Sequence, residues 1–231
     1  MKRILVIPAS GIGSRMKEYL PKQYIKLDNG LSILDTTISR LLSEPFFDLV
    51  IVVVNSKDFF WKSSIHVSNA LIKICTGGKE RSDSVWNALM ALKNIAEDKD
   101  WVFIHDAVRP CISLNDVRRL DANISVKNVV GGILAAAVTD TVKDVDEQLN
   151  IVRTLDRKKI YLSQTPQVFC YRTLVKAYYF CLQNDIIVTD EAAAVEALEL
   201  QPIIVKGNKK NLKITTHEDL VLANYFLSTL S

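Results

Sequence analysis

Short apolar runs separated by longer stretches of helical period constrain this chain more than any other feature. Residues 3–7, 49–54, 101–104 and 132–136 read as strands, with a shorter one over 72–75, while 32–42, 82–94 and 114–126 repeat their apolar residues at helical spacing. Strand and helix in alternation predict an α/β protein, a mostly parallel sheet flanked by helices. An apolar fraction of 48% over 231 residues is enough to fill such a core. No repeat and no Gly/Ser-rich linker divides the sequence, so residues 1–231 are expected to form a single domain.

Residues 137–170 break the pattern. Val138 to Lys143 and Ile151 to Leu155 alternate apolar and polar residues around a polar, turn-like stretch over 144–150, which predicts an antiparallel hairpin. A two-stranded hairpin is marginal in water, so it is expected to pack on the body of the subunit or on a partner chain. Beyond it the pattern predicts helices over 174–183 and 191–199, a strand over 203–205, and a last helix from about Glu218.

Charge and cysteine usage narrow the function classes. A net charge of +3 without any block of Lys and Arg points away from nucleic acid. The apolar run after Met1-Lys2-Arg3 stops at Pro8, short of the roughly 7–15 residues of a signal-peptide core. No stretch approaches the roughly 20 apolar residues of a membrane span. Cys75, Cys111, Cys170 and Cys181 show no CxxC spacing, and a reduced, cytoplasmic setting is the simplest expectation.

Gly11-Ile12-Gly13-Ser14-Arg15 directly follows the first strand, where glycine lets backbone amides approach a phosphate closely. The dinucleotide fingerprint fails, because Met16 stands in place of a third glycine and the second strand ends in Val54-Asn55. A Walker A loop fails too, since no Gly-Lys-Ser/Thr follows. What remains is a glycine loop with two cations, Arg15 and Lys22, equally compatible with a tight turn and solvated charges.

Four further stretches can carry chemistry. Asp106 and Arg109 end an apolar strand, the place where open parallel sheets collect ligands, although an Asp-capped turn paired to Arg109 would look the same. His105 reads as a packed, hydrogen-bonded histidine rather than a base, because no nucleophile motif surrounds it. Gly77-Gly78 leads into a helix that Ser82 or Asp83 can cap, with Ser84 and the loop amides available to a base edge. Thr189 and Thr216-x-x-Asp219 look like helix caps, and Lys213 is placed in a short strand, where pointing inward would need an anion as the reason.

The order of these motifs is specific where each alone is not. Pro8-Ala9-x-Gly11-x-Gly13-x-Arg15-Met16, Pro21-Lys22-Gln23, Gly77-Gly78-x-x-Arg81-x-x-Ser84, His105-Asp106-Ala107-x-Arg109-Pro110, Asp140-Thr141, Asp156-Arg157, Thr165-Pro166-Gln167, Thr189-Asp190-Glu191-Ala192 and Lys213 run almost the whole chain. The series resembles the cytidylyltransferases that make 4-diphosphocytidyl-2-C-methyl-D-erythritol in the non-mevalonate isoprenoid pathway.

That resemblance implies a Rossmann-like nucleotidyltransferase fold whose protruding β-arm, about 137–160 here, completes the site of a partner in a homodimer. It implies that Ala9, Ser10, Gly11 and Gly13 cradle the phosphates of CTP and that Arg15, Lys22 and Lys213 neutralise the reacting groups. Pro8, Gly78 and Ser84 would surround cytosine, and Asp106 would lie near the ribose and a Mg²⁺ ion held mainly by the triphosphate. Thr141 and Arg157 would reach 2-C-methyl-D-erythritol 4-phosphate across the dimer, with Arg109, Thr165 and Thr189 completing that side.

Ser10 and Val108 depart from the alanines usual in the family, which bears on nucleotide contact and on substrate choice. Two rivals remain at this point. One is a ribitol-5-phosphate cytidylyltransferase, to which His-Asp-Ala-Val-Arg-Pro is also similar. The other is a non-catalytic nucleotide-binding protein of the same fold.

Overall fold

The computed structural model describes residues 1–11, 20–127 and 129–229. Its centre is β1 (Arg3–Pro8), paired in parallel with β2 (Leu49–Val54) on one side and β4 (Trp101–Ile104) on the other. All six residues of β2 and all four of β4 are buried. Such strands are covered on both faces, which is why they read as unbroken apolar runs and not as alternation. β3 (Ile72–Thr76) extends the sheet beyond β2.

Two cores form on the two faces. Leu5 and Ile7 of β1 pack with Leu34 and Ile38 of α1 (Ile33–Leu41) and Val117 and Leu120 of α3 (Leu114–Lys127). Ile4 and Val6 face the other way, toward Val85 and Leu89 of α2 (Arg81–Ala91) and Leu174 and Tyr178 of α4 (Tyr171–Gln183). Burying each such side chain is worth about 1.5–3 kcal/mol, so the period-2 sorting of β1 alone fixes its orientation. A third, smaller cluster joins Leu27, Val108 and Ile214 to Ala223 of α6 (His217–Ser228).

The region after β5 (Gly131–Ala137) departs from expectation. Residues 161–170 form a strand, β8 (Tyr161–Cys170), that runs antiparallel between β4 and β5; with β9 (Ile203–Lys206) the sheet order is β3-β2-β1-β4-β8-β5-β9. Pro166 lies inside it, unable to donate to the ladder, and the pairing with β5 is irregular between Ile133 and Ala135. β9 closes the far edge, parallel to β5.

The expected hairpin is present with a shifted first strand. β6 (Val142–Val145) pairs with β7 (Ile151–Leu155), so Asp144 and Val145 belong to the ladder and not to the turn. Two local interactions set that register. Arg153 donates to Asp144 at 2.9 Å, and the Asp146 carboxylate closes the turn by accepting from the Gln148 and Asn150 amides. β6 and β7 form a sheet of their own, and Ile151 and Val152 are more than 60% exposed.

Helix caps differ in detail. α2 begins one residue earlier than expected, capped by Glu80 in a reciprocal box with Asp83, so Ser82 lies within the first turn. α5 (Glu191–Glu196) is capped by Asp190 and not Thr189. Thr216 and Asp219 form the expected box on α6.

Candidate active site

Three clefts open along the edge where β1 and β4 end, and Lys213 lines all of them. The first, about 240 Å³, lies between the turn after β1 and the start of α2, with Pro8, Ser10, Gly11 and Lys22 on its wall. The second, about 160 Å³, holds Arg109, Thr165 and Thr189. The third, about 420 Å³, reaches toward Thr139 and Asp140 at the root of the hairpin. The first and second share Asp106 and Arg81.

The turn after β1 is held from behind. Gln23 is buried and donates to the carbonyls of Ala9 (2.6 Å) and Gly11 (3.0 Å). Ala9 lines the cleft, but its own amide is spent on Val53 O at 2.7 Å, so it has no donor left for a phosphate. Gly13 and Arg15 lie outside the described residues.

A second loop closes on this turn. Ser84 Oγ donates to Glu80 O and accepts from the Gly78 amide at 3.1 Å, which leaves Ser10 to donate the 2.7 Å bond between the two hydroxyls. Ser84 is fully buried with every hydrogen-bonding valence used. A base would therefore meet the loop rather than this hydroxyl. Glycine is required for the approach: a Cβ on Gly77 would lie 2.4 Å from Ser10 Cβ, and one on Gly78 2.2 Å from Asp83 Cβ.

Asp106 is the hub of the site. Its Oδ1 accepts from Arg81 Nε at 3.0 Å, while Oδ2 takes Arg109 Nε at 3.2 Å and Lys213 Nζ at 3.1 Å. Burial alone would raise its pKa, but Arg81, Lys213 and Arg109 outweigh it and hold the carboxyl well below the usual range. Lys213 does point inward, and Asp106 is the anion that draws it. It sits in an irregular segment between β9 and α6, not in a strand, anchored by Ile214 N to Val108 O at 2.9 Å.

His105 is fully buried beside this hub. Its Nε2 lies 3.2 Å from Arg109 O, which only a protonated nitrogen suits, so Nδ1 accepts from the Thr165 hydroxyl at 3.1 Å. Thr165 Oγ1 in turn accepts from the Asp106 amide at 3.0 Å. Burial pushes the His105 pKa down to about 4. It is neutral at physiological pH and serves the packing, as the sequence suggested.

Arg81 and Glu191 stand in the quoted motifs, yet nothing in their local residue pattern assigned them a role. Arg81 holds Glu191 with two bonds, Nη1 at 2.7 Å and Nη2 at 3.1 Å, and Tyr178 donates to the same carboxylate at 3.1 Å. The two charged residues are 110 positions apart, a separation that no local sequence pattern spans. Thr141 and Arg157 are not among the residues lining the three clefts; Arg157 donates to Thr139 O within the hairpin.

The donors suit a divalent cation only in one way. Among the described residues no three His, Cys, Asp or Glu side chains gather as a ligand set. Among the same residues, Asp106 and Glu80 are the carboxylates lining the first cleft; three cations already crowd Asp106, and the Glu80 side chain caps α2. These residues fit an ion that arrives on a polyphosphate, not a resident one.

An open, mostly parallel sheet with a glycine turn after β1 and a cation-ringed aspartate at the end of β4 defines an α/β nucleotide-handling enzyme of anionic substrates. The family model described as 2-C-methyl-D-erythritol 4-phosphate cytidylyltransferase (IspD) matches residues 3–229, and the chain belongs to that family. A relative of that name from Ruthia magnifica subsp. Calyptogena magnifica is 44% identical over 97% of this chain and 96% of its own. Another from Buchnera aphidicola subsp. Acyrthosiphon pisum is 44% identical over 98% of this chain and 93% of its own. The crystal structure of the Francisella tularensis enzyme of the same name superposes with a TM-score of 0.85 at 40% identity, covering 98% of this chain and 100% of that one.

Proposed function

We infer that this chain transfers the CMP unit of CTP to 2-C-methyl-D-erythritol 4-phosphate, giving 4-diphosphocytidyl-2-C-methyl-D-erythritol and pyrophosphate. The match to the family over residues 3–229 carries the reading. A phosphate oxygen of the acceptor attacks the α-phosphorus, and the bond to the β-phosphate oxygen breaks. A phosphate monoester is already ionised at neutral pH, so no general base is required, and a neutral, buried His105 is consistent with that. The work is to bring two polyanions together and to stabilise developing charge.

In this reading the cleft between Ser10 and Arg81 takes the nucleotide, and the clefts beside Arg109, Thr165 and Thr189 take the acceptor. Lys22 and Arg15 are assigned to neutralising the triphosphate, and Lys213, which lines all three clefts, to the junction of the two substrates. Mg²⁺ arriving with the triphosphate would offset phosphate charge, and Asp106, on the wall of both the nucleotide cleft and the acceptor cleft, is the carboxylate that would help hold it.

The hairpin is read as an arm that serves a second copy of the chain. Its apolar residues Ile151 and Val152 face solvent, and Thr141 and Arg157 stand apart from the clefts of their own subunit. All 231 residues, arm included, then act as one domain of a homodimer. No helix among the described residues is long and apolar enough to cross a membrane, and the four cysteines are free thiols, which suits a cytoplasmic enzyme.

Pyrophosphate release with CTP and Mg²⁺ tests the reading. Release is expected with 2-C-methyl-D-erythritol 4-phosphate and not with ribitol 5-phosphate. The reverse preference would make this a ribitol-phosphate enzyme, and CTP binding without release in either case would leave a non-catalytic nucleotide-binding protein.

A further inference from the structure

The two oxygens of Asp106 have unlike partners. Arg109 and Lys213, on Oδ2, both line the acceptor clefts. Arg81, on Oδ1, is gripped from behind by Glu191, whose side chain is wholly buried and lines none of the three clefts.

That grip is itself fastened. Tyr178 of α4 is 2% exposed and donates to Glu191 Oε1, and its hydroxyl keeps its proton because burial and the adjacent carboxylate raise its pKa well above the ordinary value. Glu191 opens α5, whose first turn is pinned to β8: Ala192 N donates to Gln167 Oε1 at 2.9 Å, and Gln167 Nε2 donates to Asp190 at 2.8 Å. Arg81 is the first residue of α2, where the helix dipole disfavours a cation. Two carboxylates offset that, and a guanidinium held at three nitrogens has no freedom to follow a ligand.

We propose that Glu191 and Tyr178 are positioning residues that lock Arg81 onto Asp106 Oδ1, so that Arg109 and Lys213 alone exchange from Oδ2 to the acceptor's phosphate. In the free enzyme Asp106 stands in for that phosphate. When the acceptor binds, the carboxylate stays ionised and fixed because Arg81 does not leave it. The inference rests on the reading of these clefts as the transfer site, and it adds residues that touch neither substrate.

Two measurements test it. In protein labelled with ¹⁵N-arginine, the Nε–H signal assigned by its loss in Arg81→Lys is expected to exchange slowly and to stay in place when the acceptor or inorganic phosphate is added. The signal assigned by Arg109→Lys shifts under the same addition. In kinetics, Glu191→Gln is expected to lower kcat about 100-fold with KM for CTP within about threefold, the pattern of a misplaced group rather than a lost contact. Tyr178→Phe, which keeps the ring in its packing, is expected to lower kcat about three- to tenfold and to speed the Arg81 exchange.

An Arg81 signal that exchanges fast or moves with phosphate as Arg109 does would overturn the proposal, as would a Tyr178→Phe or folded Glu191→Gln protein with unchanged kcat. If wild-type protein releases no pyrophosphate, the functional reading fails while the Arg81 signal still decides the clamp.

Discussion

Lys22 and His105 illustrate opposite fates of a residue at the same site. Lys22 stands on the wall of the nucleotide cleft, and Lys22→Ala is expected to lower kcat by about 10²–10³, the cost of removing one group that stabilises developing charge. The exposed Lys57→Ala is the control, expected to keep the wild-type rate in the same pyrophosphate assay. His105 instead leaves its mark on stability. Its pKa is about 4 in the fold against 6.5 when unfolded, so the unfolded chain takes up the proton first. Stability from this group is complete above pH 6.5 and is lost as pH falls toward 4, as calorimetric Tm values across that window will show. His105→Gln should flatten the decline. The sequence made Lys22, Asp106 and Lys213 visible because each sits beside a loop or strand end, whereas the Arg81–Glu191 pair depends on contact across 110 positions.

Elements are legible where their own pattern decides them. β1, β2 and β4 were readable because burial on both faces demands unbroken apolar runs. β8 was not: its first six residues, Tyr161-Leu-Ser-Gln-Thr-Pro, are mostly polar and hold a proline, and pairing with β5 from Tyr161 and with β4 from Gln167 onward makes it a strand. Tertiary context overrides local preference there. Caps behave in between, since Thr216 and Asp219 were found at the expected spacing and Thr189 lost its place to Asp190. Because the Thr216 hydroxyl accepts from Asp219 N at 3.3 Å, Thr216→Ala is expected to destabilise the protein by about 1 kcal/mol in urea unfolding.

At the scale of the molecule the prediction concerns two copies. If the arm serves the neighbour, Arg15→Ala and Arg157→Ala damage the same site from different chains, and each protein alone is expected to be inactive. Co-refolded in equal amounts they should regain roughly a quarter of wild-type activity, because half the dimers are mixed and each mixed dimer keeps one intact site of two. Mixed dimers that form and remain inactive would place both arginines on one chain's site. The alternation of strand and helix announced the sheet and its flanking helices. It was silent on what the hairpin packs against, since a solvent-facing Ile151-Val152 in one chain reads the same whether its cover is near or far in sequence.

The antiparallel course of β8 has a consequence for change over generations. The arm departs at Ala137 and returns at Tyr161, two residues already paired across the sheet. Its base is thus closed by the core, and lengthening it costs only about 0.6 kcal/mol for each doubling of the loop. Mutations can lengthen, shorten or recolour this appendage while the sheet that carries Asp106 and its cations stays intact, so recognition can drift in lineages whose chemistry does not.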